Sequence, residues 1–222
     1  MKKKPWLGQP VENLGNREMI GIINYGLGNL NSIRNMLKKI NVVSEIVADP
    51  SKFRDFEKLI LPGVGAFDHG MRGLRENTMI PALEEEVLGK GKLILGICLG
   101  MQLICKGSEE GQSPGLGWID CHFTKFRFPE GSPLKVPHMG WNLVHVLRDN
   151  PLFPRKAGEE ERFYFVHSFH GCCANAEDVV AVANHGGPVL AAVRRGNIFG
   201  VQFHPEKSHR FGMELLRRFA EI

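Results

Sequence analysis

The chain has 222 residues, of which 43% are hydrophobic and 23% charged, proportions that fit one substantial buried core and exclude a disordered chain. A formal net charge of +4, with Lys and Arg scattered among acids instead of gathered with aromatics, gives no nucleic-acid stripe, so no nucleic acid is expected as a partner. The longest apolar stretches, Leu93 to Ile97 and Val179 to Ala183, fall far short of the ~20 residues that cross a bilayer, so no membrane span is expected either.

Residues 1–18 open on three lysines after Met1 and continue through Pro5-Trp6-Leu7-Gly8-Gln9-Pro10, which is not a signal peptide. The segment reads as a flexible extension, the protein as cytoplasmic, and residues 19–222 as one domain. Five cysteines (Cys98, Cys105, Cys121, Cys172, Cys173) without a C-x-x-C pair resemble neither a disulfide framework nor a zinc site, so no metal and no cofactor are expected.

From Met19 the elements follow in a regular order. Met19 to Ile23 reads as a buried strand, Tyr25-Gly26-Leu27-Gly28-Asn29 as a turn, and Leu30 to Lys39 as a helix with Ile33, Met36 and Leu37 on one face. Val42 to Val47 and Lys58 to Leu61 read as strands, Gly70 to Leu88 as a helical stretch interrupted near Pro81, and Lys92 to Ile97 as a strand feeding a short helix from Leu99. Strands separated by helices imply an α/β fold: a doubly wound, mostly parallel central sheet with right-handed crossovers. Between about Gly117 and Phe203 the segments shorten. Arg162 to Val166, Val179 to Asn184, Leu190 to Val193 and Ile198 to Phe203, separated by turns such as His185-Gly186-Gly187-Pro188, predict antiparallel strands added to that sheet. An amphipathic helix over Phe211 to Ala220 closes the domain, with Leu215, Leu216 and Phe219 inward.

Gly96-Ile97-Cys98-Leu99-Gly100 at the end of the Leu93 strand is the cysteine form of a nucleophile elbow. Two glycines flank a sharp strand-to-helix turn, so the thiol projects at the carboxyl edge of the sheet, where open α/β sheets bind ligands. A helix starting at Leu99 favours a thiolate, and the Leu99 backbone N–H faces any oxyanion formed on a carbonyl that Cys98 attacks. Free cysteines are also ordinary core residues, and Cys98 alone does not separate the two readings.

A thiol nucleophile needs a proton acceptor and a group that orients it. His204-Pro205-Glu206 ends the Ile198 strand. If that strand lies beside the Cys98 strand, His204 reaches the thiol and Glu206 orients the imidazole. Gly63-Val64-Gly65, after another strand, places two glycines around one residue and can turn backbone N–H groups toward a carbonyl, unless it is an ordinary βα turn.

Gly96 to Gln102, His204 to Glu206 and Pro62 to Gly65 together resemble the class I (triad) glutamine amidotransferases. Ile23 to Leu30 (I-N-Y-G-L-G-N-L), Pro137 to Asn142 (P-H-M-G-W-N), Tyr164 to Ser168 (Y-F-V-H-S) and Gly200 to Ser208 (G-V-Q-F-H-P-E-K-S) resemble the HisH-type glutaminase subunits of imidazole glycerol phosphate synthase. That resemblance spans Met19 to the C-terminus. It implies glutamine hydrolysis through a thioester on Cys98, with ammonia passed to a (β/α)8-barrel cyclase subunit in a heterodimer. It further implies that Gln102 contacts glutamine, that Gly63, Val64 and Gly65 form the oxyanion strand beside Leu99, and that Ser168 and Phe169 grip the α-amino and carboxylate end. Met139, Trp141, Tyr164 and Lys207 match positions facing the cyclase, with Asn24 in the first loop; for Met139 and Trp141, core packing is the alternative.

Two readings stand beside this one. Lys207 to Gly212 resembles paralogues that supply ammonia for sugar amidination in surface-polysaccharide synthesis. A catalytically silent scaffold for a barrel partner is the other, although it has no need of a complete Cys, His and Glu set. Phe169-His170 departs from the Tyr that the family more often carries after the Ser or Thr.

Overall fold

In the computed structural model, which describes residues 19–154 and 160–222, strands and helices alternate through the first half. β1 (Ile20–Ile23), β2 (Ser44–Val47), β3 (Lys58–Gly63) and β4 (Leu93–Cys98) run parallel in the order β2-β1-β3-β4. Every residue of β1 and β3 is buried. Helices on both faces make that necessary, and it explains why these strands read as apolar runs and not as alternating patterns. The extension expected over residues 1–18 lies outside the described residues.

Two apolar layers flank the sheet. On one side α1 (Leu30–Lys39) and α5 (His209–Glu221) bring Ile33, Met36, Leu37, Leu215, Leu216 and Phe219 against Ile22, Ile60 and Leu95. On the other, α2 (Phe67–Glu76), α3 (Met79–Leu83) and α4 (Leu99–Leu103) bring Met71, Leu74, Met79, Leu83 and Leu103 against Ile23, Leu59 and Ile94. Side chains of Leu, Ile or Phe size buried this way each contribute roughly 1.5–3 kcal/mol.

The helical stretch expected over Gly70 to Leu88 breaks earlier than its proline suggests. α2 ends at Asn77 and Thr78, with Thr78 in the left-handed region at φ 53°. Pro81 sits in the first turn of α3, where an N–H has no intrahelical acceptor and proline costs nothing. Glu84 to Gly89 then form a π-helical turn.

In the second half β12 (Ile198–Val201), β11 (Pro188–Arg195), β10 (Val179–Asn184), β7 (His138–Val146) and β8 (Glu161–His167) extend the sheet beyond β4 to nine strands. β11, β10 and β8 are antiparallel additions, as expected, and β7, between β10 and β8, is a further one. The Ile198 strand is not one of them: β12 runs parallel to β4, with Ile198 opposite Ile94 and Val201 opposite Ile97, and is antiparallel only to β11. A further small sheet, β5 (Cys105–Ser108), β6 (Ile119–Lys125) and β9 (Phe169–Cys173) in that order, has no counterpart in the sequence reading. No helix among the described residues is long and apolar enough to cross a membrane.

Candidate active site

The site is built where β4 gives way to α4. Cys98 is the hinge, and its backbone sits at φ 54° and ψ −108°, a conformation that L residues rarely adopt. The flanking glycines serve packing and not this strain. A Cβ on Gly96 would lie 2.8 Å from both the Gly100 carbonyl oxygen and the Met101 nitrogen, and one on Gly100 would run into the Leu61 carbonyl. The turn therefore lets α4 sit directly on the sheet, while the strain is concentrated in Cys98.

Parallel pairing of β12 with β4 brings both strands to the same carboxyl edge. Three residues beyond Val201, His204 is held by its N–H donating to the Tyr164 carbonyl (2.9 Å) and by its own carbonyl accepting from Ser208 Oγ (2.6 Å). His204 Nδ1 lies 2.7 Å from Glu206 Oε1, and both side chains are almost wholly buried. Burial alone would push His204 down, but hydrogen bonding to Cys98 and Glu206, with their negative charge, outweighs it and holds the imidazole up at about 10. Glu206 moves the opposite way: burial favours its neutral form, yet the bond to His204 keeps the carboxyl below its ordinary range. The three side chains are thus coupled, and the structure brings Cys98, His204 and Glu206 together as expected.

A cleft of about 500 Å³ opens over Cys98. Leu99, Val64 and Gly65 line it, and so do Gln102, Ser168 and Phe169. Gly63 does not. It is buried in β3 opposite Cys98, packed so closely on the Tyr25 hydroxyl and Leu99 that a side chain would not fit. Gly65, at φ 106° with open space where a Cβ would stand, is the glycine chosen for its backbone conformation. The Gln102 amide donates to Gln202 Oε1 (3.2 Å), and Gln202 Nε2 donates to Cys98 Sγ at 3.7 Å.

Two residues of this site escaped the sequence reading. Gln202 looked like one member of a buried strand end, and nothing in the pattern marks its contact with sulfur. Glu110 lines the cleft, accepts from the Phe67 N–H at 3.0 Å, and has its carboxyl pushed up by partial burial. Its signal was Glu109-Glu110 directly after β5, visible only once the small sheet is known.

The residues expected to face a partner separate from the cleft floor. Met139 and Trp141 are 59% and 47% exposed, which removes the core-packing alternative. Trp141 stacks on His209 (centroids 5.6 Å, 10° between planes) and meets the Tyr164 ring edge-on, while the Lys207 ammonium lies 5.8 Å over Tyr164. Lys207 also lines the cleft, so this surface reaches the cleft mouth. Asn24 is apart from both: its side chain accepts from the Gly26 N–H in the turn after β1.

The family model for class-I glutamine amidotransferases matches residues 21–222. Imidazole glycerol phosphate synthase subunit HisH 2 of Pseudomonas aeruginosa is 46% identical over 204 residues, which cover 92% of this chain and 100% of the relative. The HisH subunit of Leptospira interrogans is 45% identical over 205 residues, with the same coverage. Among solved structures, PurLQS from Thermotoga maritima superposes with a TM-score of 0.70 over 93% of this chain and 99% of its own at 20% identity, a likeness of fold. A relationship of that extent, matched along whole sequences, places this chain among the class I glutamine amidotransferases, in their HisH branch.

Proposed function

We propose that the chain is the glutaminase subunit of imidazole glycerol phosphate synthase in histidine biosynthesis, releasing ammonia from glutamine for a (β/α)8-barrel cyclase partner. The observation that carries the chemistry is the His204 to Glu206 contact of 2.7 Å, set beside Cys98 at the base of an open cleft. The partner is carried by the resemblance to HisH subunits and by the exposed Met139 and Trp141.

In this reading the Cys98 proton already rests on His204 Nε2, and Sγ attacks the side-chain amide carbon of glutamine. The carbonyl oxygen takes the negative charge and is held by backbone N–H groups of Leu99 and of the Val64–Gly65 segment. His204 returns the proton to the amide nitrogen, the C–N bond breaks, and ammonia leaves behind a γ-glutamyl thioester. Water then attacks the thioester carbon, His204 takes the water proton, and the C–S bond breaks to give glutamate and restore the Cys98 sulfur beside protonated His204. Glu206 holds the imidazole in register and stabilises its protonated form. Glu110 suits the α-ammonium group of the substrate, since a positive charge there relieves the cost of a carboxylate at the cleft wall.

The test is glutaminase activity of the purified chain, alone and with the cyclase of the same genome, with and without the cyclase's ligand. Strong ligand-dependent stimulation is expected, because the segment around Val64 is proposed to reach its active orientation only in the complex. Equal turnover with and without partner overturns this coupling, and stimulation only by a polysaccharide-cluster partner redirects the ammonia to sugar amidination. Cys98→Ala should lower glutamine-dependent synthesis at least ~10³-fold, yet support the cyclase fully when ammonia is supplied. Loss of both activities would assign Cys98 a structural role.

A further inference from the structure

Behind the cleft wall runs a line of hydrogen bonds that the triad does not use. Asn142 Nδ2 lies 3.0 Å from His138 Nε2, His138 Nδ1 lies 2.9 Å from His167 Nε2, and His167 Nδ1 lies 2.7 Å from the Phe169 carbonyl oxygen. The proton positions follow from the two ends. A carbonyl only accepts, so His167 carries its proton on Nδ1 and, when neutral, accepts at Nε2. His138 must then donate from Nδ1 and accept at Nε2. The far end agrees independently, because the Asn142 amide is fixed by accepting from the Leu143 N–H (2.9 Å) and by donating to the Asn184 carbonyl (2.8 Å). Every bond has one donor and one acceptor only if both rings are uncharged. Their burial pushes both well down, His138 to about 4 and His167 to about 3, so they stay neutral through the physiological range. The His138 ring is also clamped between Phe165 and His185, with centroids 4.7 and 4.4 Å away.

The line ends on Phe169, whose two flanking peptide groups are held from different sides. Phe169 begins β9, the edge strand of the small sheet. The Phe126 N–H donates to the Ser168 carbonyl (3.0 Å), which makes 126 and 168 a hydrogen-bonded pair and the next pair, Lys125 and Phe169, a non-hydrogen-bonded one. The Phe169 N–H and C=O therefore point away from β6, toward the open edge. The His167 ring takes the carbonyl, and the Phe169 N–H remains directed outward on a residue that lines the cleft. The N–H belongs to the Ser168–Phe169 peptide, which the Phe126 N–H holds through the Ser168 carbonyl, and the C=O belongs to the next peptide, which the His167 ring holds; with both peptides held, the Phe169 N–H presents a donor in one direction.

We propose that His138 and His167 are positioning residues that hold the Phe169 backbone in the orientation that binds the α-carboxylate of the amino-acid substrate. This rests on the glutaminase reading. It also gives the exposed strand a route to the cleft: His138 adjoins Met139 on β7, so a shift of β7 on docking reaches Phe169 through two hydrogen bonds.

The experiment is steady-state glutaminase kinetics of the complex for wild type, His138→Leu and His138→Asn, beside calorimetric glutamine binding in the same proteins carrying Cys98→Ala. His138→Leu should raise KM and weaken binding about tenfold, the scale of one lost hydrogen bond, with kcat changed less than twofold. His138→Asn, whose amide Nδ2 stands near the lost ring Nδ1, should recover most of both. Should His138→Leu fail to fold, His138→Gln replaces it, because its amide sits at the Nε2 side and cannot make the bond to His167. Wild-type KM in His138→Leu or His138→Gln, or a fall in kcat alone that Asn does not rescue, overturns the positioning role. Should the wild-type complex neither bind nor hydrolyse glutamine, the glutaminase reading fails and the proposal falls with it.

Discussion

Cys98 carries two burdens that can be separated by mutation. Its side chain is the proposed nucleophile, and its backbone occupies φ 54°, ψ −108°, where a Cβ is strained and glycine is not. In a regular strand or helix glycine is less stable than alanine by roughly 0.5–1 kcal/mol. Here the order should invert: both Cys98→Gly and Cys98→Ala abolish glutamine hydrolysis, but Cys98→Gly should be the more stable by about 1 kcal/mol. Chemical denaturation of the two variants decides it, and the usual order would mean that the turn relaxes when sulfur is removed. The elbow was legible because G-x-C-x-G is a spacing with a steric meaning. That Cys98 itself and not its glycines bears the strain was not legible, since both arrangements give the same five letters.

The buried His204 and Glu206 pair has a pH signature. His204 titrates near 10, above its ordinary 6.5, so the stability it contributes is complete below 6.5 and is lost as the pH climbs toward 10. Glu206 is depressed, so its contribution is present above its ordinary 4.5 and disappears as the pH falls through the lowered value. Wild type should therefore exceed Glu206→Gln in melting temperature by most between about pH 4.5 and 6.5, with the margin shrinking toward pH 10. A margin that widened with alkalinity would mean the pair is not held as an ion pair. Spacing alone offered His204 and Glu206 as partners, but the Gln102, Gln202 and Cys98 contacts depend on the ends of β4 and β12 meeting beside α4, which no local pattern encodes.

Elements show the same division between what is local and what is not. β1, β3 and β4 announce themselves as apolar runs because both faces are covered, and α1 and α5 because one stripe is. β5, β6 and β9 are short, mix small and polar residues, and exist because they pair with each other; their stabilising partners are 14 or more residues away in sequence. The orientation of β12 was misjudged for the same reason, as its neighbours β4 and β11 demand opposite directions. At the end of α2 the expectation set by Pro81 yields to Thr78, an exposed β-branched residue in the left-handed region that helices commonly use for a terminal glycine. Thr78→Gly should stabilise the chain by about 1 kcal/mol, read as a higher denaturation midpoint with glutaminase activity unchanged. No gain would show that Thr78 is compensated by contacts of its own.

At the scale of the whole molecule, the long antiparallel hairpin of β7 and β8 does two things at once. Its inward residues, Phe163, Phe165 and Val144, complete the core, and its outward face carries Met139 and Trp141 two residues apart on one side of β7, with Tyr164 opposite Trp141 on β8. Large exposed apolar side chains beside Lys207 and His209 form the composition that interfaces use, an aromatic anchor within a polar border. Lys207 belongs to this border and to the cleft wall, so a partner seated here covers the mouth of the cleft over Cys98. The expected consequence is specific. Trp141→Ala should weaken binding to the barrel cyclase by about 30-fold, on the order of 2 kcal/mol for an aromatic anchor, because it removes the ring that stacks on His209 and meets Tyr164. Basal glutaminase activity and melting temperature should stay at wild-type values, since the indole is nearly half exposed and its ring neighbours, His209 and Tyr164, lie outside the buried core. Stimulated activity should fall at low partner concentration and return when the partner is raised well above the new Kd. Unchanged affinity in a titration of the two proteins would place the interface elsewhere on the surface, whereas stimulation that stays low at saturating partner would make Trp141 part of the signal that reaches the cleft and not only of the anchor.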